Sequence, residues 1–307
     1  MALYRDHLPQ LDGGTFLTDG GMETTLIFHE GLDLPHFAAF VLLTSKSGRE
    51  ALWRYYARYL DIARQHGTGF ILDSATWRAN PDWGALLGFG PEALAEVNED
   101  AIDLLLDLRR DHAIPCVISG AIGPRGDGYK AGRMSAAEAE DYHATQIATF
   151  AATEADMVTA FTLTNPDEAT GIIRAASAQD IPCAISFTLE TDGRLVTGRS
   201  LRDAIESVDA ATNGAAAYFM VNCAHPTHLA ASFGEGDWRD RILGIRANAS
   251  TKSHAELDES ETLDAGDPVD LGRHYRDLRR TLPSMRIMGG CCGTDHRHLA
   301  AICEACL

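Results

Sequence analysis

The chain repeats one pattern of hydrophobic and polar positions along its length. A short apolar run rich in β-branched residues is followed by small or polar residues and then by a longer segment with apolar positions at helical spacing. Short runs of this kind predict buried strands, and the longer segments predict amphipathic helices. The predicted strands begin at Thr15, Gly69, Pro115, Met157, Pro182, Ala216, Arg241 and Met285. The predicted helices include 49–67, 91–112, 135–155, 165–179 and a short final helix, 295–306.

Eight strands that alternate with helices predict the α/β class and a (β/α)8 TIM barrel. The alternative is a doubly wound open sheet, which would need fewer parallel strands, and no strand here is followed by a GxGxxG loop. No linker divides the chain, so we expect residues 1–307 to form a single barrel domain. The acidic run 253–270 has the weakest strand or helix pattern, and we expect it to be a mobile loop after the seventh strand.

Composition limits the partners of this barrel. The formal net charge is −18 and no block of Lys or Arg interrupts it, which disfavours nucleic-acid binding. No apolar run has the length of a signal peptide core or a membrane helix, so we expect a cytoplasmic protein without a membrane partner. A homo-oligomer is compatible with the composition. Seven cysteines without an export signal favour thiolate or metal chemistry over a disulfide framework.

Polar residues collect where the predicted strands end, which is the face that carries the active site in such barrels. Cys223 ends the sixth strand, and Cys291 and Cys292 end the eighth, so the closed barrel would bring three thiols to one rim. Three cysteine ligands leave the fourth tetrahedral position of Zn²⁺ open, as in catalytic zinc sites. The flanking Gly289, Gly290 and Gly293 are expected to permit unusual backbone angles at the adjacent ligands.

Other interpretations of the cysteines remain open at this point. The three residues are also compatible with buried apolar packing or with a vicinal disulfide. Cys303 and Cys306 form a CxxC that would allow a four-cysteine structural site, although we expect both to lie in the helical tail. Cys116 and Cys183, each after a proline that opens a strand, are expected to be packing residues.

Four segments give the sequence a family resemblance. They are TDGGMETTL from Thr18, ISFTLETDGRLVTGRSLRDA from Ile185, VNCAHP from Val221 and GGCCGT from Gly289. With them the chain resembles the homocysteine S-methyltransferase family, which includes betaine- and S-methylmethionine-dependent enzymes and a module of cobalamin-dependent methionine synthase. The resemblance covers nearly the whole chain. It implies an enzyme of methionine biosynthesis that moves a methyl group from a sulfonium or ammonium donor to homocysteine.

The resemblance also implies roles for individual residues. Cys223, Cys291 and Cys292 would be the Zn²⁺ ligands and the catalytic residues. Asp19, with the backbone of Gly20 and Gly21, would help to hold the amino acid acceptor. From its place next to Cys223, Asn222 is expected to orient that cysteine and to belong to the substrate-binding residues. The thiol acceptor and the methyl donor are then the small-molecule partners, and S-methylmethionine, S-adenosylmethionine and betaine are the candidate donors.

Two departures from the family pattern lie at predicted strand ends. Phe161 stands where the family usually has a Glu that binds the amino group of the acceptor, and the segment SATWRANPDWG introduces Trp77, Arg78 and Trp83. The aromatic rings are candidates to stack on substrate or to face a cationic donor, and Arg78 is a candidate to bind a carboxylate; packing at the rim is the alternative. The acceptor is therefore homocysteine or a different thiol or selenol, and a non-catalytic zinc- or thiol-binding barrel is the remaining alternative.

Overall fold

The computed structural model describes residues 1–229, 232–260 and 262–307. In these residues eight parallel strands form a closed barrel in chain order, and β1 pairs with both β2 and β8. The strands are β1 Phe16–Leu17, β2 Gly69–Asp73, β3 Cys116–Ile122, β4 Met157–Leu163, β5 Cys183–Thr188, β6 Tyr218–Asn222, β7 Ile242–Ala247 and β8 Ile287–Gly290. The predicted (β/α)8 TIM barrel is confirmed, and the open sheet is excluded.

Helices surround this barrel. In the described residues they are α1 Lys46–His66, α2 Pro81–Leu86, α3 Pro91–Arg110, α4 Ala136–Ala152, α5 Pro166–Ser177, α6 Leu201–Thr212, α7 Pro226–Leu229, α8 His254–Asp258, α9 Pro268–Thr281 and α10 His296–Cys306. Local sequence sets several of their first residues. Ser45, Ser135 and Ser200 each accept a hydrogen bond from the third backbone N–H of the helix that follows, which satisfies a donor that has no partner within the helix.

The strands are buried on both faces, which explains why they are continuous apolar runs rather than alternating ones. One core lies inside the barrel and includes Phe16, Ile71, Val117, Tyr218 and Ile287. A second, larger core lies between the strands and the helices. Because the barrel is filled by side chains, substrate access is limited to its ends.

The acidic segment 253–270 contains more regular structure than its sequence predicts. Ser253 and Glu256 form a capping box that begins α8, and Asp267 caps the first turn of α9. The segment therefore includes a short helix and the first turn of a longer one, and a description as a loop alone is wrong. None of the helices in the described part of the chain is long and apolar enough to cross a membrane.

Candidate metal and substrate site

Three cysteines meet at the C-terminal end of the barrel. Cys223 follows β6, and Cys291 and Cys292 follow β8; their Sγ atoms all lie within 4.8 Å of one another. The sulfur atoms of Cys223 and Cys291 are in contact, with the Cα atoms 5.4 Å apart, a spacing that also permits a disulfide on oxidation. Cys223 is buried and the other two are partly exposed, so the cluster is open on one side.

This donor set suits a thiophilic metal such as zinc. Thiolate sulfur is one of the preferred ligands of Zn²⁺ in proteins, and three such ligands leave one tetrahedral position for a substrate. The metal-ligand cluster in the described residues does not include Cys303 or Cys306, which lie in α10. Cys116 and Cys183 are buried at the first residues of β3 and β5, at the opposite end of the barrel.

Hydrogen bonds fix the position of Cys223. Its φ of 55° is in the left-handed region, which is unfavourable for a residue with a Cβ, so the neighbouring contacts must hold it there. The side chain of Asn222 provides one of them, with Nδ2 3.2 Å from the Cys223 Sγ. The Oδ1 of Asn222 accepts hydrogen bonds from the Thr162 N–H at 2.9 Å and the Ser186 hydroxyl at 2.7 Å. Asn222 is thus held by β4 and β5 while it contacts the sulfur.

The three glycines beside the cysteine pair serve two different purposes. Gly293 has a φ of 79°, as expected for a position that requires unusual backbone angles. Gly289 and Gly290 do not, and that part of the prediction is wrong. A Cβ on Gly289 would lie 1.8 Å from the Thr18 hydroxyl oxygen, and one on Gly290 would lie 2.1 Å from the Thr294 hydroxyl oxygen. These two glycines are required by close packing.

Tyr129, which the sequence analysis did not single out, faces the thiols. Its hydroxyl lies 3.5 Å from the Sγ of Cys223 and 3.6 Å from that of Cys292. Burial and the neighbouring Cys292 raise the pKa of Tyr129 well above its ordinary value, so it stays a neutral donor. Its ring lies 4.4 Å from that of His254 in α8, so the acidic segment covers this side of the site. The only sequence signal was a tyrosine in a glycine-rich loop after β3.

A buried charge cluster lies next to the thiols. The Arg246 guanidinium, in β7, donates to Asp19 after β1 at 2.5 Å and to Asp73 at the end of β2 at 2.8 Å. The other oxygen of Asp19 accepts from the Tyr55 hydroxyl at 2.7 Å. Burial, only partly offset by Arg246, raises the pKa of Asp73 to about 7. Both oxygens of Asp19, the predicted acceptor ligand, are therefore engaged within the protein.

Gly20 and Gly21 also pack closely. A Cβ on Gly20 would lie 2.7 Å from the Tyr59 hydroxyl oxygen, and one on Gly21 would lie 2.6 Å from the Cys291 carbonyl oxygen. The Gly21 N–H donates to the carbonyl oxygen of Thr294 at 3.1 Å. The turn therefore joins the end of β1 to the cysteine segment, and the Gly21 N–H already has an acceptor in the chain.

Arg78 lies between two indole rings. Its guanidinium carbon is 4.0 Å from the centroid of the Trp77 ring and 3.9 Å from that of Trp83. Nη1 donates to the Gly126 carbonyl oxygen at 2.9 Å, whereas the buried Nε has no acceptor among the described residues. The buried Nε1 of Trp77 has none either. Burial lowers the pKa of Arg78. The two tryptophan rings thus stack on the guanidinium of Arg78, which is a cation of the protein and not of a substrate.

Comparison with known proteins identifies the family. The sequence profile described as homocysteine S-methyltransferase matches residues 16–306. The chain belongs to the homocysteine S-methyltransferase family. It is therefore a methyltransferase, and the family reaction is the transfer of a methyl group to homocysteine. Among curated proteins, none matches the chain significantly.

Solved structures with this fold include the homocysteine methyltransferase MmuM from Escherichia coli. Its oxidised form has a TM-score of 0.75 at 18% identity, over 95% of this chain and 96% of that one. Its metallated form has a TM-score of 0.74 at 19% identity, over 96% and 98% of the two chains. Its apo form has a TM-score of 0.65 at 20% identity, over 96% and 97%. At these identities the likeness concerns the fold.

Phe161 lies at a position where the resemblance to the family implies a glutamate. Its ring is buried near the end of β4, and the Arg246 guanidinium carbon lies 5.0 Å from the ring centroid. The next residue, Thr162, has a φ of 60° where the register of β4 against β5 shifts. At the two positions where the family resemblance implies carboxylates for the acceptor, the structure thus has a buried aromatic ring and an aspartate that is paired with Arg246.

Glu23 is a second residue that the sequence analysis did not single out. It has helical backbone angles and directly precedes the π-helical segment Thr24–His29. The neighbouring Thr24 hydroxyl oxygen accepts the Gly293 N–H at 3.0 Å, which fixes the start of this helical segment against the cysteine segment. Burial raises the pKa of Glu23, and its negative charge in turn contributes to raising the pKa of Cys292. Its only sequence signal was its place in the DGG segment.

Proposed function

We propose that this protein is a zinc-dependent S-methyltransferase that moves a methyl group from a sulfonium or ammonium donor to the thiol of homocysteine. The convergence of the Cys223, Cys291 and Cys292 sulfur atoms within 4.8 Å at the C-terminal end of the barrel carries the proposal. In a barrel of this family, these three residues are the zinc ligands. The remaining coordination position is available to the acceptor sulfur.

The chemistry follows from the state of the acceptor thiol. A free alkyl thiol has a pKa of about 8.5, and only its thiolate attacks carbon efficiently. Bound zinc would supply that thiolate at neutral pH by taking the place of the thiol proton. The methyl carbon passes from the donor sulfur or nitrogen to the acceptor sulfur, and the donor leaves as a neutral sulfide or amine. No general base is required.

The chain's own residues orient the reacting sulfur. Asn222 positions Cys223 through its contacts with Thr162 and Ser186, and a polar side chain that supports a metal ligand in this way maintains its geometry. The Tyr129 hydroxyl donates to the Cys223 sulfur and contacts that of Cys292, which helps to hold both sulfur atoms in place. In-line displacement depends on such positioning, because bringing the two reactants together supplies much of the rate.

A different thiol or selenol acceptor is the second candidate function. Phe161 replaces the usual acidic residue, and Asp19 is paired with Arg246, so two carboxylates expected to receive an ammonium group are missing or engaged. A buried ammonium without a carboxylate is unfavourable. We further propose that residues 1–307 are a single barrel domain. The cytoplasmic location and a homo-oligomeric state stay predictions.

A methyl-transfer assay tests this function. Zinc-loaded protein receives homocysteine with S-methylmethionine, S-adenosylmethionine or betaine in turn, and methionine is measured by mass spectrometry. We expect methionine with one donor, and we expect Cys292→Ser to lose zinc and activity together because it removes a thiolate ligand. Cys303→Ser is the matched control, since that thiol lies in α10, and it should keep both. Bound zinc with no product on any donor would refute the proposed reaction.

A further inference from the structure

We propose that Glu23 and Arg78 together bind the α-amino acid head group of the acceptor, Glu23 its ammonium and Arg78 its carboxylate. This inference rests on the proposed transfer to an amino acid thiol and names the residues that select it. From the sequence we expected Asp19, Gly20 and Gly21 to hold the amino acid acceptor, and the proposal gives this role to Glu23 and Arg78 instead. The observations that carry it are two unpaired groups of opposite charge beside the cysteine cluster.

The aspartate of the DGG turn is poorly suited to the ammonium. Asp19 is buried, one oxygen accepts from Arg246 and the other from Tyr55. To take an ammonium group as its counter-ion, Asp19 would have to give up a guanidinium that also holds Asp73. Breaking a buried pair of this kind is strongly unfavourable, because it leaves a charge without a partner. Ammonium recognition therefore requires another carboxylate.

Glu23 is that carboxylate. The Gly21 N–H donates to the Thr294 carbonyl oxygen and the Thr24 hydroxyl oxygen accepts the Gly293 N–H, so the backbone of Glu23 lies next to the cysteine segment. Its side chain is half-buried and forms no ion pair with any described residue, although Arg78 and Arg246 are both near enough to favour its charged form. A half-buried carboxylate without a cation is an unusual arrangement, and a ligand ammonium group would satisfy it.

Arg78 provides the opposite charge. Stacking between Trp77 and Trp83 fixes the plane of its guanidinium, and the Gly126 carbonyl oxygen takes only Nη1. The buried Nε has no acceptor in the described chain, so the edge formed by Nε and Nη2 is available. That edge has the geometry that binds a carboxylate through two parallel hydrogen bonds.

The two groups are close enough to interact but do not bond to each other. The charge of Arg78 acts to lower the pKa of Glu23, and the charge of Glu23 acts to raise the pKa of Arg78. Both charges also act on the pKa of Tyr129, whose hydroxyl contacts the thiols. Glu23 and Arg78 form no ion pair among the residues that the structure describes. In the proposed complex the zwitterionic head group lies between them and its side-chain thiol is directed to the cysteine cluster.

Binding of three related thiols tests this assignment. Isothermal titration calorimetry on zinc-loaded protein under reducing conditions compares homocysteine with 4-mercaptobutyrate, which lacks the ammonium, and 3-aminopropanethiol, which lacks the carboxylate. We expect Glu23→Gln to weaken homocysteine and 3-aminopropanethiol by roughly 10- to 100-fold, as for a lost charged hydrogen bond, and to leave 4-mercaptobutyrate unchanged. Asp33→Asn, an exposed carboxylate in the following loop, is the matched control and should change none of them.

The Arg78 variants should show the opposite selectivity. Arg78→Met weakens homocysteine and 4-mercaptobutyrate but not 3-aminopropanethiol. Arg78→Lys keeps the charge but loses the two-point contact, so it should lower the affinity for these two thiols by a smaller factor. This variant replaces Arg78→Met in the test if the Met variant does not fold. An equal loss for all three thiols, no loss, or an ammonium-selective loss in Asp19→Asn instead would overturn the assignment.

The two proposals can fail separately. If homocysteine binds with the expected selectivity and no methyl group moves, the proposed reaction is wrong and the head-group assignment stands. If methionine forms and the variants show no selective loss, the assignment is wrong and the reaction stands. If none of the three thiols binds to zinc-loaded protein, both are wrong.

Discussion

Replacement of Arg246 by Met tests the buried charge cluster at the end of the barrel. The guanidinium bonds to Asp19 and Asp73, and also to the Gly290 carbonyl oxygen at 3.1 Å. The Met side chain has a similar length and no charge, so both carboxylates lose their cation while the volume is largely kept. All three charged residues are buried, which prevents water from replacing the lost contacts.

The expected magnitude follows from these contacts. Loss of one partner from a buried ion pair destabilises a protein by about 3–5 kcal/mol. Arg246 serves two carboxylates, but the pKa of Asp73 is already raised to about 7 and rises further without the cation, so in the variant this carboxyl takes up a proton instead of staying buried as a charge. We therefore expect the free energy of unfolding to fall by about 3–5 kcal/mol at pH 8, rather than by twice that amount.

The pH dependence gives the prediction a second readout. Without the arginine, the folded-state pKa values of Asp19 and Asp73 rise further above their unfolded value of about 3.9. A carboxyl with a raised folded-state pKa favours the folded state below its unfolded pKa, and this contribution is lost as pH increases through the folded value. The loss in free energy of unfolding caused by Arg246→Met should consequently be smaller at pH 6 than at pH 8.

Urea denaturation followed by circular dichroism at both pH values measures the deficit. Arg202→Met is the matched control, because this arginine is exposed and, among the described residues, forms an ion pair with Glu206 alone, at 2.8 Å on the surface of α6. Surface pairs at this spacing contribute about 0.3–0.5 kcal/mol. A deficit below about 1 kcal/mol for the Arg246 variant, or one that does not change with pH, would contradict the argument from buried charge.

Three smaller changes test other parts of the site. Tyr129→Phe removes a donor to the thiols and should weaken zinc affinity about tenfold in chelator competition; unchanged affinity contradicts a supporting role. Gly289→Ala should lower thermal stability by about 1–3 kcal/mol through collision with Thr18, and Thr18→Ala should restore part of it. Burial disfavours the charge of Asp295, yet bonds from its helix hold its pKa below the usual range. Its stabilisation is thus lost as pH falls below about 4, and Asp295→Asn should flatten that acid loss in pH-dependent unfolding.

The sequence by itself determined the barrel and the position of its thiols. Strands buried on both faces must be continuous apolar runs, and helices that cover them must have one apolar stripe, so the two alternate visibly along the chain. Cys223, Cys291 and Cys292 stand directly after two such runs. Parallel strands all end at the same rim, so the order of elements was sufficient to predict that these cysteines approach one another.

Only the tertiary structure decided which charges pair and which remain available. Arg246, Asp19 and Asp73 belong to β7, the turn after β1, and β2, and they meet because the barrel closes. Ion pairs between residues far apart in sequence leave no periodic signal. Glu23 was not recognised from the sequence for a related reason. Its proposed role as the ammonium ligand depends on Asp19 being already paired with Arg246. Local patterns specify elements, whereas electrostatic partners depend on distances that the folded barrel alone defines.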